Sequence, residues 1–88
     1  MEINNELLIY PNPTKSLFTI AFESTGISNI KVMVYNVLGK EIFSKDVANF
    51  SGQFKQQISL DDYVEGIYVV KITSDIGILS TSRISYIK

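Results

Sequence analysis

The chain has no cysteine, no histidine and no tryptophan, and these gaps remove whole classes of function before any pattern is read. Without cysteine there is no disulfide framework and no thiolate chemistry, so packing alone must hold the fold. Without histidine the usual general base near neutral pH and the commonest transition-metal ligand are both missing. Charge of one sign is scarce as well: eight basic residues face nine acidic ones, for a formal net charge of −1, and no two basic residues are adjacent. Such a chain carries no electrostatic footprint for nucleic acid or anionic lipid. The longest apolar runs are four residues, far short of the roughly 20 that a helical membrane span needs. The opening Met1-Glu2-Ile3-Asn4-Asn5 offers neither a basic stretch nor an apolar one, so no signal peptide is expected there. The sequence reads either as a cytoplasmic protein or as a piece of a larger secreted chain.

What is present is β-forming material. Apolar residues make up 45% of the 88 positions and aromatic residues 11%, which argues for one small folded domain rather than a disordered tail. The densest run is Gly66-Ile67-Tyr68-Val69-Val70-Lys71-Ile72, β-branched or aromatic at five of seven positions. With period two, Tyr68, Val70 and Ile72 share one face, and Ile67, Val69 and Lys71 the other. This predicts an interior strand with one face in the core and the other mostly covered. The same alternation predicts strands over Glu6–Tyr10, Leu17–Phe22, Ile30–Tyr35, Glu41–Val47, Phe54–Leu60 and Ile78–Ile87.

Turn chemistry separates these strands. Pro11-Asn12-Pro13 fixes φ twice and removes two donors, giving a rigid turn. Ser24 to Asn29 and Ala48 to Gln53 read as polar connections. Asn36 to Gly39 closes a hairpin in which Gly39 supplies a positive φ. Asp61 to Glu65 is an acidic crossing loop. In the last strand Ser80 to Arg83 is polar, which predicts an edge strand or a bend. Seven short strands with no helical period give an all-β fold, a seven-stranded antiparallel β-sandwich of immunoglobulin or fibronectin-III-like architecture.

Catalytic constellations are thin. Serine and threonine are plentiful, but no histidine and no Gly-x-Ser-x-Gly elbow accompany them. Asp61, Asp62 and Glu65 are oxygen donors of the kind calcium takes, without EF-hand spacing. Neighbouring acids in a crossing loop read first as a solvated turn. Asn49-Phe50-Ser51 matches the N-glycosylation acceptor triplet, a pattern frequent by chance. No catalytic residue, metal ligand or cofactor is assigned, and the chain is not expected to be an enzyme.

Three spaced segments carry a resemblance. Leu8-Ile9-Tyr10-Pro11-Asn12-Pro13-Thr14 with the Phe18-Thr19-Ile20 strand resembles the Tyr-Pro-Asn-Pro box of type IX (Por) secretion system C-terminal sorting domains. Val34-Tyr35-Asn36-Val37-Leu38-Gly39-Lys40 resembles their Tyr-Asn-x-x-Gly hairpin. Leu60 through Gly66, Tyr68 and Ile72 resembles their Leu…Gly-x-Tyr-x-x-x-Ile strand, and the final Lys88 agrees. The closest likeness is to the type A domains. One departure is Ser16, where the family usually has glycine in the turn after the Pro-Asn-Pro box.

The resemblance implies a sorting signal at the end of a cargo protein. Residues 1–6 would be a linker remnant from the upstream cargo, and residues 7–88 the domain. The cargo would cross the periplasm on its way to the outer-membrane surface or the medium. The outer-membrane type IX translocon would read the folded domain, and a sortase-like peptidase would usually remove it. On this reading Tyr10, Pro11, Asn12, Pro13, Tyr35, Asn36, Gly39, Gly66, Tyr68 and Ile72 mainly secure the fold. Thr81, Arg83, Ser85 and Lys88, exposed on the last strand, are the candidate recognition residues. The alternative is a fibronectin-III-like binding or spacer module of a cell-surface protein.

Overall fold

Strand-forming composition carries straight through to the backbone. The computed structural model describes residues 2–3, 7–75 and 77–88. These residues form six strands: β1 (Glu2–Ile3), β2 (Leu8–Tyr10), β3 (Leu17–Tyr35), β4 (Glu41–Ser59), β5 (Gly66–Ser74) and β6 (Gly77–Tyr86). All strand pairs are antiparallel.

The count differs from the expected seven because two expected loops are paired strand. Ser24 to Asn29 and Ala48 to Gln53 belong to β3 and β4, which run together from Leu17↔Ser59 to Tyr35↔Glu41. Register shifts between Ser24 and Ser28, and between Ser28 and Ile30, mark bulges at this point. Gly26 (φ 76°), Asn49 (φ 52°) and Gly52 (φ 89°) supply the left-handed backbone there. A bulge turns a ribbon sharply without ending its pairing, so the glycines that read as loop punctuation serve a corner. Two fusions and the added β1 give six strands.

The corner makes one ribbon serve two layers. Its first half, Leu17–Ser24 with Gly52–Ser59, pairs with β1 and β2. Its second half, Ser28–Tyr35 with Glu41–Phe50, pairs with β5, which pairs with β6. The result is a β-sandwich formed from a nearly closed sheet.

The alternation places the core correctly. Phe18, Ile20, Phe22, Phe54 and Ile58 from the first layer meet Ile30, Val32, Val34, Tyr68, Val70, Ile72, Ile84 and Tyr86 from the second. Phe22 stacks on its cross-strand partner Phe54 at 4.9 Å, and Phe50 sets its edge against both. Such aromatic pairs contribute about 0.5–1.5 kcal/mol each beyond area burial, and here they brace the bend.

β5 is interior, between β3 and β6, with Tyr68, Val70 and Ile72 buried as expected. Its other face is more open than expected: Val69 and Lys71 are half-buried and Ile67 is exposed. Among the described residues no second layer covers that side. Glu6, part of the first expected strand, and most of the linker stretch 1–6 lie outside the described residues. Of that stretch, Glu2 and Ile3 pair with Thr25 and Ser24. The orientation of the Ile78 side chain also lies outside what is described.

Candidate functional site: the clasped edge of the last strand

β6 is the last strand of the path β3–β5–β6, so its far edge should present unpaired backbone. Half of it does not. The chain leaves β2 in one layer and crosses through Pro11-Asn12-Pro13, in which both prolines follow cis peptide bonds. Thr14 then lies alongside Tyr86 as an isolated parallel bridge. The Thr14 N–H donates to the Ser85 carbonyl at 2.8 Å, and the Ile87 N–H donates to the Thr14 carbonyl at 2.9 Å. Just before it, the Asn12 side chain behaves as a neighbouring peptide would. Its Nδ2 donates to the Arg83 carbonyl and its Oδ1 accepts from the Ser85 N–H, each at 3.1 Å.

Thr14 is fixed for this role by burial and by its own hydroxyl. It is 1% exposed; Oγ1 donates to the Leu17 carbonyl at 2.6 Å and accepts from the Ser16 N–H at 3.2 Å. That turn closes with Ser16 in place of the family glycine, because the Thr14 hydroxyl holds it and no positive φ is taken at Ser16. The Ser16 carbonyl in turn accepts from Leu60 N–H at 2.8 Å. Beyond Ile87, the Glu65 carboxylate accepts from the Lys88 N–H at 2.7 Å.

These bonds leave a short open stretch. The outward groups in use are Arg83 C=O, both groups of Ser85 and Ile87 N–H. In an antiparallel ladder every second residue turns both its backbone groups outward. The N–H and C=O of Thr81 and the N–H of Arg83 therefore face the same edge, and among the described residues nothing covers them.

The other two motifs brace the strands that carry β6. Asn36 Oδ1 accepts from Leu38 N–H (3.0 Å) and Lys40 N–H (2.9 Å), while its backbone bonds Lys40 O and Gly39 N. Gly39 takes φ 84°, the left-handed geometry that glycine accepts at least cost. The half-buried Tyr35 donates through its hydroxyl to Met33 Sδ at 3.1 Å. Gly66 opens β5 opposite Tyr86. Tyr68 is buried against the core and its hydroxyl reaches back to the Val64 carbonyl at 2.5 Å. Burial, then the neighbouring Tyr86 and Tyr63, push the Tyr68 phenol above its usual range. Burial, then Asp61 and Glu65, do the same to Tyr86.

Of the four residues expected to be exposed on the last strand, Thr81, Arg83 and Lys88 are exposed. Ser85 is half-buried with both backbone groups bonded to Thr14 and Asn12, because the Pro-Asn-Pro turn covers it. Thr14, read in sequence only as the end of the first motif, and Glu65, read only as an acidic loop residue, are structural partners of β6. The triplet Asn12-Pro13-Thr14, with Ser16 two residues on, carries the hydrogen-bonding groups but not the identity of the strand they meet. Asp61, Asp62 and Glu65 do not converge: no cluster of three or more acidic or other metal-ligating side chains occurs among the described residues.

A cysteine-free β-sandwich whose own N-terminal turn clasps its last strand is, as a class, a small all-β module with one strand edge part-presented. Its family follows from comparison: residues 8–86 match the secretion system C-terminal sorting domain, and the chain belongs to that family. It is a C-terminal sorting signal of type IX secretion, recognised by that system, with its cargo attached upstream and bound for the outer membrane or the extracellular space. No curated protein matches the chain. Among the described residues no helix is long and apolar enough to cross a membrane.

Proposed function

We propose that the outer-membrane type IX translocon reads this domain after it folds, while the cargo is in periplasmic transit, and that a sortase-like peptidase then usually removes it. The domain acts as a recognition module and not as an enzyme, and it uses no cofactor. The recognition surface is β6, with Thr81 and Arg83 at its centre and Lys88 at its end.

One observation carries this reading. The β6 edge is covered by Asn12 and Thr14 from the Arg83 carbonyl onward and, among the described residues, is left bare at Thr81 and at the Arg83 N–H. A bare edge flanked by a fixed one is suited to strand addition in a defined register, with backbone bonds for affinity and side chains for choice of partner. Ser85, whose groups are already engaged, serves the clasp.

Truncation is a poor test, because removing Ser82 to Lys88 also removes Ile84 and Tyr86 from the core. Substitution at the edge is cleaner. Thr81→Pro deletes the outward N–H without touching the β5 ladder, since proline is tolerated on an edge, and Arg83→Glu reverses the exposed charge. Each is placed in a signal-peptide-bearing reporter fused to this chain, in a host with the secretion system. Both fusions should stay folded and accumulate in the periplasm. Normal secretion of both would remove β6 from the recognition surface.

A further inference from the structure

The outer face of the β3–β5–β6 layer holds an apolar groove that the fold does not need. Its floor is Tyr35, Ile67 and Val69, its wall is Val37 on the β3–β4 hairpin, and its volume is about 480 Å³. The hairpin is already closed by Asn36 and Gly39, which places no demand on the two residues between them. Yet those are Val37, which lines the groove, and Leu38 beside it, 79% and 90% exposed, and Ile67 on the groove floor is 44% exposed. Contiguous apolar surface of this kind marks an interaction site when no packing accounts for it.

Charge narrows the occupant. Lys71 and Thr81 line one end of the groove, and among the described residues no carboxylate lines it. Arg83 lies across from Val69 in the ladder, and Thr81 across from Lys71. Neither Lys71 nor Arg83 is engaged in an ion pair among the described residues. The groove thus joins an aliphatic and aromatic floor to two uncommitted cations. It also ends at Thr81, the residue whose backbone edge is open.

We infer that this groove is a second contact for the secretion machinery, occupied by an extended protein segment that carries apolar side chains and at least one carboxylate. The apolar side chains fill the space between Val37 and Ile67, and the carboxylate meets Lys71 and Arg83. Opposite charge at the rim steers and selects the partner, while the desolvated apolar centre holds it. The inference rests on the sorting role and adds the chemistry of the partner.

The test uses the reporter fused to this chain, with a photo-activatable benzoylphenylalanine in place of Leu38. Illumination during export should cross-link an outer-membrane protein of the secretion system, through a peptide containing Asp or Glu. Cross-linking to a second copy of the chain, to lipid or to the upstream cargo would assign the groove to that occupant and overturn the inference. In parallel, the double variant Val37→Asp, Leu38→Asp should melt as the parent does, because both side chains are in solvent, yet lower the secreted fraction about tenfold. Lys71→Glu should lower it about threefold to tenfold. Normal secretion of both variants overturns the inference while leaving the sorting role intact. If the unmodified fusion itself is not exported, the sorting reading fails and the inference falls with it.

Discussion

Replacing Asn12 by alanine tests the clasp where it is most specific. The side chain makes two hydrogen bonds to β6, to the Arg83 carbonyl and from the Ser85 N–H. A net contribution of about 1 kcal/mol each sets the loss near 2 kcal/mol. Both bonds are exposed, so water can reach the freed groups and no burial penalty is added, which gives a loss of about 1–2 kcal/mol. That is a sizeable part of the roughly 4–13 kcal/mol expected for a domain of this length. At about 1 kcal/mol per molar of urea, the midpoint should fall by about 1–2 M. The Ser85 amide should also exchange with solvent faster relative to Val70, in the interior of β5. Asn12→Asp keeps an acceptor for Ser85 N–H but turns an oxygen toward the Arg83 carbonyl, so it should be no more stable than the alanine variant at neutral pH. An alanine variant within about 0.3 kcal/mol of the parent, with Ser85 protection unchanged, would refute the clasp. Parental stability in Asn12→Asp would refute the donor contact in particular.

Four further outcomes follow from the same geometry. Asn36→Ala removes the acceptor for Leu38 and Lys40 and should cost about 1–2 kcal/mol in urea unfolding. Gly39→Ala meets no neighbouring atom within 4 Å but must hold φ 84°, so a loss of about 1 kcal/mol would be backbone strain alone. Leu60 is fully buried, and Leu60→Ala should cost about 2–5 kcal/mol by calorimetry. The raised Tyr68 and Tyr86 phenols mean that the unfolded chain releases protons first as pH rises past about 10. Their contribution is present below that pH and is lost above it, so urea midpoints should fall on the alkaline side. Tyr68→Phe should make that fall shallower.

The sandwich was legible because period two is a local property. Phe18, Ile20 and Phe22, then Ile30, Val32 and Val34, then Tyr68, Val70 and Ile72 each mark a buried face within one stretch of chain. The corner was not legible for an equally local reason. Gly26 and Gly52 supply positive φ, and a loop and a bulge both use it; only the pairing of Ser24 with Gly52 and Ser28 with Phe50 separates them. The partner of the Pro-Asn-Pro turn is set by closure of the whole sheet, so Asn12 and Thr14 could be read as turn residues but not as the cover of β6.

The open part of β6 has a second property that its sequence did announce. Counting back from the buried Ile84 and Tyr86, the positions that face the core are Ser82 and Ser80, both only half-buried. Serine there contributes little of the roughly 1.5–3 kcal/mol that a buried aliphatic side chain supplies. The same residues follow the register shift at Ile72 and Thr73. The stretch with a bare outer edge is therefore also weakly held from inside at Ser80 and Ser82. Weak local anchoring lets a segment open or repack at small cost, and a partner that adds a strand needs that freedom together with unpaired backbone. Asn12, Thr14 and Glu65 confine it to the neighbourhood of Thr81 by fixing everything from the Arg83 carbonyl to Lys88. If Ser82→Val, which anchors the strand without altering the edge, leaves export unchanged, then the edge alone is read. A slower export with a more stable domain would show that the looseness is part of the signal.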